Sequence, residues 1–76
     1  MSVYVDNANI PYGRMKMCHM IADTHKELIE MADHIGLSRK WIMKEWTYQE
    51  HFDICASKKT TALTAGAILI SRRTLG

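Results

Sequence analysis

The sequence predicts an α/β domain in the order β-β-α-β-α-β, a small, mostly parallel sheet of about four strands packed by two helices. Three observations carry this prediction. Residues 24–35 bear the marks of a capped amphipathic helix. Strand-forming runs stand near both ends of the chain, Val3-Tyr4-Val5 and Ala67-Ile68-Leu69-Ile70. Between them lies a second, shorter helical segment that closes at Gly66.

The elements follow in order. Val3-Tyr4-Val5 is β-branched and aromatic and stops at Asp6-Asn7, as a short first strand does. Ala8 to Gly13 holds Pro11 and Gly13 and reads as loop. Met15 to Ala22 alternates weakly between bulky apolar and polar residues, which predicts a second strand over Lys16 to Ile21. Thr24-His25-Lys26-Glu27 has capping-box spacing, with Thr24 as N-cap and Glu27 at the third helical position, and Asp23 adds favourable charge. Leu28, Met31, Ala32 and Ile35 then form one apolar stripe, Gly36 stands where a left-handed cap belongs, and Leu37 supplies its hydrophobic contact.

Trp41 to Tyr48 has two readings. Its aromatic and β-branched residues suit a strand, while Trp41 with Glu45 and Ile42 with Trp46 have the spacing of a helical turn. A strand near 40–44 followed by a loop is the reading adopted. His51-Phe52-Asp53-Ile54 leads into Ser57 as an N-cap, and Lys58 to Ala65 forms the second helix. The apolar run Ala67 to Ile70 is expected to be a strand buried on both faces.

Seventy-six residues make one domain, spanning 1–76. A chain this short buries about 60% of the surface its unfolded form exposes, so disulfides, a metal or a partner subunit often support it. Cys18 and Cys55 form neither a disulfide framework nor a spaced zinc pattern, and both read as buried thiols in a reducing compartment. That leaves self-association as the expected support, hence a homo-oligomer. The chain opens without a signal-peptide pattern, and the run from Ala65 to Ile70 is far short of the roughly 20 residues that span a bilayer. A cytoplasmic location and no membrane partner are expected. A net charge of +2 is too small to argue for nucleic-acid binding, and no recognisable motif adds to it. The basic residues fall in four groups: Arg14 with Lys16, Arg39 with Lys40, Lys58 with Lys59, and Arg72 with Arg73.

Three constellations carry candidate chemistry. Ser57-Lys58-Lys59 puts two cations at a helix N-terminus, where the dipole disfavours them by about 0.3–1 kcal/mol unless a bound anion reverses the sign. Asp6 and Asn7 stand at the end of the first strand, where open sheets bind ligands. His19, Asp23, His51 and Asp53 form a His/Asp set able to bind a divalent metal or to act as general acid and base. His19, His51 and Asp53 are assigned to acid–base catalysis and no metal site is assigned. In an extended segment His51 and Asp53 share a face, whereas His19 and Asp23 would meet only on a helix. His25 and His34 read as solvated, on the polar side of the first helix. The methionines at 15, 17, 20, 31 and 43, with Trp41 and Trp46, read as core. An exposed tryptophan would instead stack on a base or build an interface.

Val3-Tyr4-Val5-Asp6, the block from Gly13 to Asp23, Glu27-Leu28, Met31-Ala32-Asp33, Ile35-Gly36, Arg39 with Trp41, His51 to Ile54, Ser57-Lys58 and Ala65-Gly66-Ala67 carry a resemblance over almost the whole chain. On these residues the sequence resembles a family of short bacterial and phage proteins catalogued only as a domain of unknown function. The resemblance implies a stand-alone cytoplasmic domain of phage type and no particular activity or cofactor. Phe52 departs from relatives that often carry tyrosine there. The segment from Tyr4 to Ile10 is also similar to the first strand of NYN/PIN-type nucleases, where an aspartate holds a catalytic metal. The chain is short for that fold, and Arg72-Arg73 follows the last strand where an acidic ligand would be needed.

The leading expectation is a homo-oligomeric protein that binds a phosphate-bearing small molecule such as a nucleotide, sequestering a signalling nucleotide in a phage setting. Arg14, Lys16, Ser57, Lys58 and Lys59 would hold phosphate, Trp41 or Tyr12 would stack on a base, and Asp6 or Asn7 would read sugar or base. The alternatives are a phosphoesterase using His19, His51, Asp53 and Asp6, and an interaction module docking through Trp41 to Tyr48.

Overall fold

Alternation along three strands builds one wall of the core. In the computed structural model, which describes residues 2–8 and 10–70, Val3 and Val5, Cys18 and Met20, and Phe52 and Ile54 point to one face of a sheet. The chain runs β1 (Val3–Asp6), β2 (Ile10–Tyr12), β3 (Met15–Ala22), α1 (His25–Ile35), a 3-10 turn (Arg39–Trp41), β4 (Phe52–Cys55), α2 (Ala56–Thr64) and β5 (Ile68–Ile70). Leu28, Ile29, Ala32 and Ile35 of α1 and Ala62 of α2 close the core over the same sheet face. The result is two layers, with both helices on one side.

The sheet is five-stranded and mixed, which corrects the mostly parallel, four-stranded expectation. Met17 pairs with Ile10 on one side and Cys55 on the other, and Met20 likewise with Val5 and Phe52. β1 and β2 therefore share one edge of β3, and β4 lies along the other. All three partners of β3 are antiparallel, while β1 and β5 are parallel. A two-residue turn at Gly13-Arg14 explains part of the error: Gly13 takes φ +59°, and a connection so short joins only antiparallel strands. The segment read as loop thus contains β2, whose Pro11 is tolerated in a three-residue strand at the end of the sheet.

Two other expectations are corrected. Residues 40–44 form no strand; Lys40 and Trp41 belong to the 3-10 turn, and Met43 contributes one bridge, to His51. The strand lies at Phe52–Cys55, where buried Phe52 and Ile54 flank exposed Asp53. β5 is not buried on both faces: Ile68 and Leu69 are 45% and 52% exposed, and among the described residues β5 pairs with β1 alone.

α1 matches its prediction. Glu27 N–H donates to Thr24 Oγ at 3.2 Å, and Gly36 closes the helix at φ +83°. α2 begins earlier than read: Cys55, not Ser57, is its N-cap. Cys18 is buried as expected, but Cys55 is only half-buried. Met20 is in the core, whereas Met15, Met43, Trp41 and Trp46 are exposed, because they project from the helix-free face or from the segment outside the two layers. Among the described residues no helix is long and apolar enough to cross a membrane.

Candidate functional site: a His/Asp cluster on the helix-free face

The register that builds the core also builds a polar row on the opposite face. Pairing of Val5 with Met20 brings Asp6 beside His19, and His19 pairs directly with Asp53. His51 precedes Asp53 by two residues, so an extended backbone turns both side chains the same way. Four residues that the sequence singled out thus meet: Asp6, His19, His51 and Asp53.

Asp6 is fully buried. The chain leaves the β1 ladder after it, and its carboxylate accepts the N–H groups of His19 at 2.9 Å and Ala8 at 3.2 Å. A third contact, 2.7 Å, runs to His19 Nδ1. Burial pushes the Asp6 carboxyl up, but the backbone and ring donors of His19 with the Ala8 N–H outweigh it and hold the group below its ordinary value. An ionised carboxylate only accepts, so His19 Nδ1 carries a proton, and in the neutral ring Nε2 then presents a lone pair.

His51 reaches the same state by another route. Its Nδ1 lies 2.8 Å from the carbonyl oxygen of Gln49, which can only accept, so in the neutral ring its Nε2 is likewise the lone-pair nitrogen. Asp53 Oδ1 stands 3.7 Å from His19 Nε2 and 3.4 Å from His51 Nε2. The two rings meet edge to face at 5.3 Å, and ligating atoms of all three residues lie within 4.8 Å of one another. Three acceptors converge on one point, where they can take the protons of a water or hold a cation.

The segment from Met43 to His51 positions His51. Met43 and His51 exchange backbone hydrogen bonds of 2.8 and 3.0 Å. Glu50 takes the Trp46 N–H at 2.9 Å and lies 2.9 Å from His25 Nδ1, while His25 stacks on the Trp46 ring at 3.6 Å. His25 is therefore a clasp residue rather than a solvated one; His34 is exposed as expected. Lys44 and Trp46 are left-handed, at φ 54° and 65°.

A concavity of about 710 Å³ opens beside the cluster, lined by His19 and Asp53, by Cys55 and Lys58, by Lys40 and Trp41, and by apolar side chains including Met17 and Ile10. Its size and its mostly apolar wall with a few polar groups suit a small-molecule site. Trp41 is 59% exposed there.

The basic residues do not gather as the sequence suggested. Lys58 Nζ donates to the Ile35 carbonyl at the end of α1, at 2.7 Å. Lys59 is its helical neighbour, and adjacent residues on a helix do not face each other, so the two ammonium groups do not converge at the start of α2. Ser57 is the second residue of α2, with its hydroxyl 3.1 Å from Cys55 Sγ. Arg14 lies in the hairpin turn, and Lys16, exposed on β3, points to the face opposite His19. Asn7 is exposed beyond the row. Asp23 belongs elsewhere: it accepts the Ser2 N–H at 2.8 Å and the Tyr4 hydroxyl at 3.3 Å, and strand geometry keeps it from His19. The side chain of Tyr12, and Arg72 and Arg73, lie outside the described residues. Sequence reasoning missed Lys40, the Gln49 carbonyl and Glu50; only Lys40, within a basic pair, carried any signal.

Fold and site together define a two-layer α/β domain with a histidine–carboxylate cluster on its open sheet face. Residues 3–76 match the profile of a family described as protein of unknown function (DUF4031), and the chain belongs to that family. No curated protein and no solved structure matches it.

Proposed function

We propose that the protein hydrolyses a phosphate ester of about nucleotide size, with the attacking water held at the point shared by His19 Nε2, His51 Nε2 and Asp53 Oδ1. One observation carries this reading: these acceptors converge, and two of them, His19 and Asp53, line a concavity that also holds Lys40, Lys58 and Trp41. A water there donates its hydrogens to the cluster and keeps an oxygen lone pair for phosphorus. The new P–O bond forms as the ester P–O bond breaks. The proton lost by the water ends on the departing alkoxide, so the products are an alcohol and a phosphate. Positioned proton acceptors of this kind contribute about 10²–10⁴ in rate. Lys40 and the two donors left on Lys58 offset charge on the non-bridging oxygens, and the exposed face of Trp41 stacks a base.

The test is incubation of the pure protein with mono-, di- and cyclic nucleotides and short RNA, with and without Mn²⁺, followed by chromatography. A phosphoester is expected to disappear, and His51→Ala and Asp53→Asn are expected to abolish its loss. Intact compounds that nevertheless raise the melting temperature would leave binding without turnover. Intact compounds and no thermal shift would remove both readings.

A further inference from the structure

We infer that His19 Nε2, His51 Nε2 and a carboxylate oxygen of Asp53 form a site for one divalent first-row transition cation of the Zn²⁺ type, with coordination left open toward the concavity. The inference rests on the hydrolytic reading only for turnover. It deepens that reading by replacing the cluster with the cation as the group that ionises the water, since nitrogen lone pairs bound to a cation no longer accept its hydrogens.

The geometry of the second layer points to a cation. Each imidazole has its Nδ1 proton committed, His19 to the Asp6 carboxylate at 2.7 Å and His51 to the Gln49 carbonyl at 2.8 Å. Metal-bound histidines are held in this way, by a carboxylate or a carbonyl on the far nitrogen. With both rings neutral it leaves two lone pairs and an anionic oxygen facing one another, a donor set that a cation among them would stabilise.

An ordinary ion pair does not account for the spacing. The separations from Asp53 Oδ1, 3.7 and 3.4 Å, exceed the ~2.7–2.9 Å of a charge-assisted hydrogen bond. They are close to the edge of a coordination tetrahedron, about 3.4 Å when the metal–ligand bonds are about 2.1 Å. The backbone holds the donors in place: His19 and Asp53 are cross-strand partners, and His51 is tied to Met43.

The donor set selects the metal class. Two imidazoles with one carboxylate suit Zn²⁺ and its first-row neighbours, whereas Mg²⁺ and Ca²⁺ favour oxygen ligands alone. Three protein ligands leave a position for water. Asp53 offsets one of the cation's two charges, so a bound centre stays net positive and attracts phosphate.

The experiment is calorimetric titration of chelator-stripped protein with ZnCl₂, repeated with CoCl₂ while visible absorption is recorded. One cation per chain is expected, with Co²⁺ bands in the visible and no near-ultraviolet sulfur-to-cobalt band. Asp6→Asn is expected to weaken binding by about 10- to 100-fold through the second layer. Asp53→Asn and His51→Ala, which remove ligands, should weaken it further, and His34→Ala should change nothing. Asp53 is exposed, so its variant folds whatever becomes of the others. Affinity unchanged in both Asp53→Asn and His51→Ala, or a sulfur-to-cobalt band, would overturn the assignment. Cation binding with every phosphoester intact would support this site while removing hydrolysis. Full turnover in excess chelator would keep hydrolysis and overturn the cation's role.

Discussion

His19 and Asp6 sit side by side on antiparallel strands, and one aspartate carboxylate takes both the backbone N–H and the ring Nδ1 of that histidine, at 2.9 and 2.7 Å. The contact is a stability element as well as a positioning one, since a buried carboxylate is tolerated only when its lone pairs are filled.

Asp6→Asn should show both roles. Hydrogen bonds to a charged group are worth about 1.5–3 kcal/mol each, and the amide can still accept one N–H, so a net loss of about 2–3 kcal/mol in urea unfolding is expected. The loss should depend on pH in a defined direction. The folded carboxyl lies below its ordinary value of 3.8. Its contribution is therefore complete above that value and disappears as pH falls from there through the folded pKa. On metal-free protein the difference between wild type and Asp6→Asn should narrow below about pH 4. A difference that stays constant from pH 7 to pH 3 would contradict the ionised state assigned to Asp6.

The clasp between α1 and the 43–51 segment should be separable from the fold. Lys44 and Trp46 hold left-handed conformations that cost about 1–2 kcal/mol per residue. Glu50 and His25 offset this by holding Trp46, the first at its N–H and the second on its ring, and by contacting each other. His25→Ala is expected to speed amide exchange at 44–51 by at least about tenfold, the effect of roughly 1.4 kcal/mol, while exchange in β3 stays within twofold. Uniform acceleration across the chain would mean that His25 supports the whole fold instead.

How much of this was legible depends on how local each signal was. α1 could be read because Thr24, Glu27, Ile35 and Gly36 interact within one helix. The residues of the cluster could be named from their chemistry, but not assembled, since Asp6, His19 and Asp53 meet through pairings of strands far apart in sequence. The β propensity of the aromatic segment 41–48 is stronger than the three-residue alternation of Phe52, Asp53 and Ile54, so propensity points to a strand ahead of the actual one at Phe52–Cys55. Pro11 and Gly13 hid a strand that needs only three residues. The sequence places Lys58 at the start of its own helix, whereas its ammonium group serves the end of another helix.

That last contact gives a further prediction. Lys58→Met keeps the aliphatic stem but removes the donor to the Ile35 carbonyl, and with it a favourable charge at the C-terminus of α1. A loss of about 1–2 kcal/mol is expected. Lys40→Ala, at an exposed position, should stay within about 0.5 kcal/mol of wild type while weakening any phosphate-bearing ligand. Equal stability of the Lys58 and Lys40 variants in urea titrations would show that the Lys58 contact carries no weight. Gly36→Ala should cost about 1–2 kcal/mol at the same place, because its φ is +83° and a Cβ would approach Lys58 Nζ to 3.1 Å.

The two thiols should differ sharply toward an alkylating reagent. Cys18 is 3% exposed and faces the core, and burial pushes its pKa up to about 11. Cys55 is half-buried at the start of α2, where the Ser57 hydroxyl, with the N–H groups of Lys58 and Ser57, holds the thiol below its ordinary value. Cys18 reacts only when the sheet opens, and for a domain of this size global opening costs about 4–11 kcal/mol. Native protein treated with iodoacetamide should therefore gain one adduct, at Cys55, with modification of Cys18 slower by at least about 100-fold. Urea past the unfolding midpoint should bring the two rates together. If peptide mapping found Cys18 modified as fast as Cys55 in native buffer, the packing of α1 and α2 against β3 would be wrong, and so would the sheet face to which His19 is assigned.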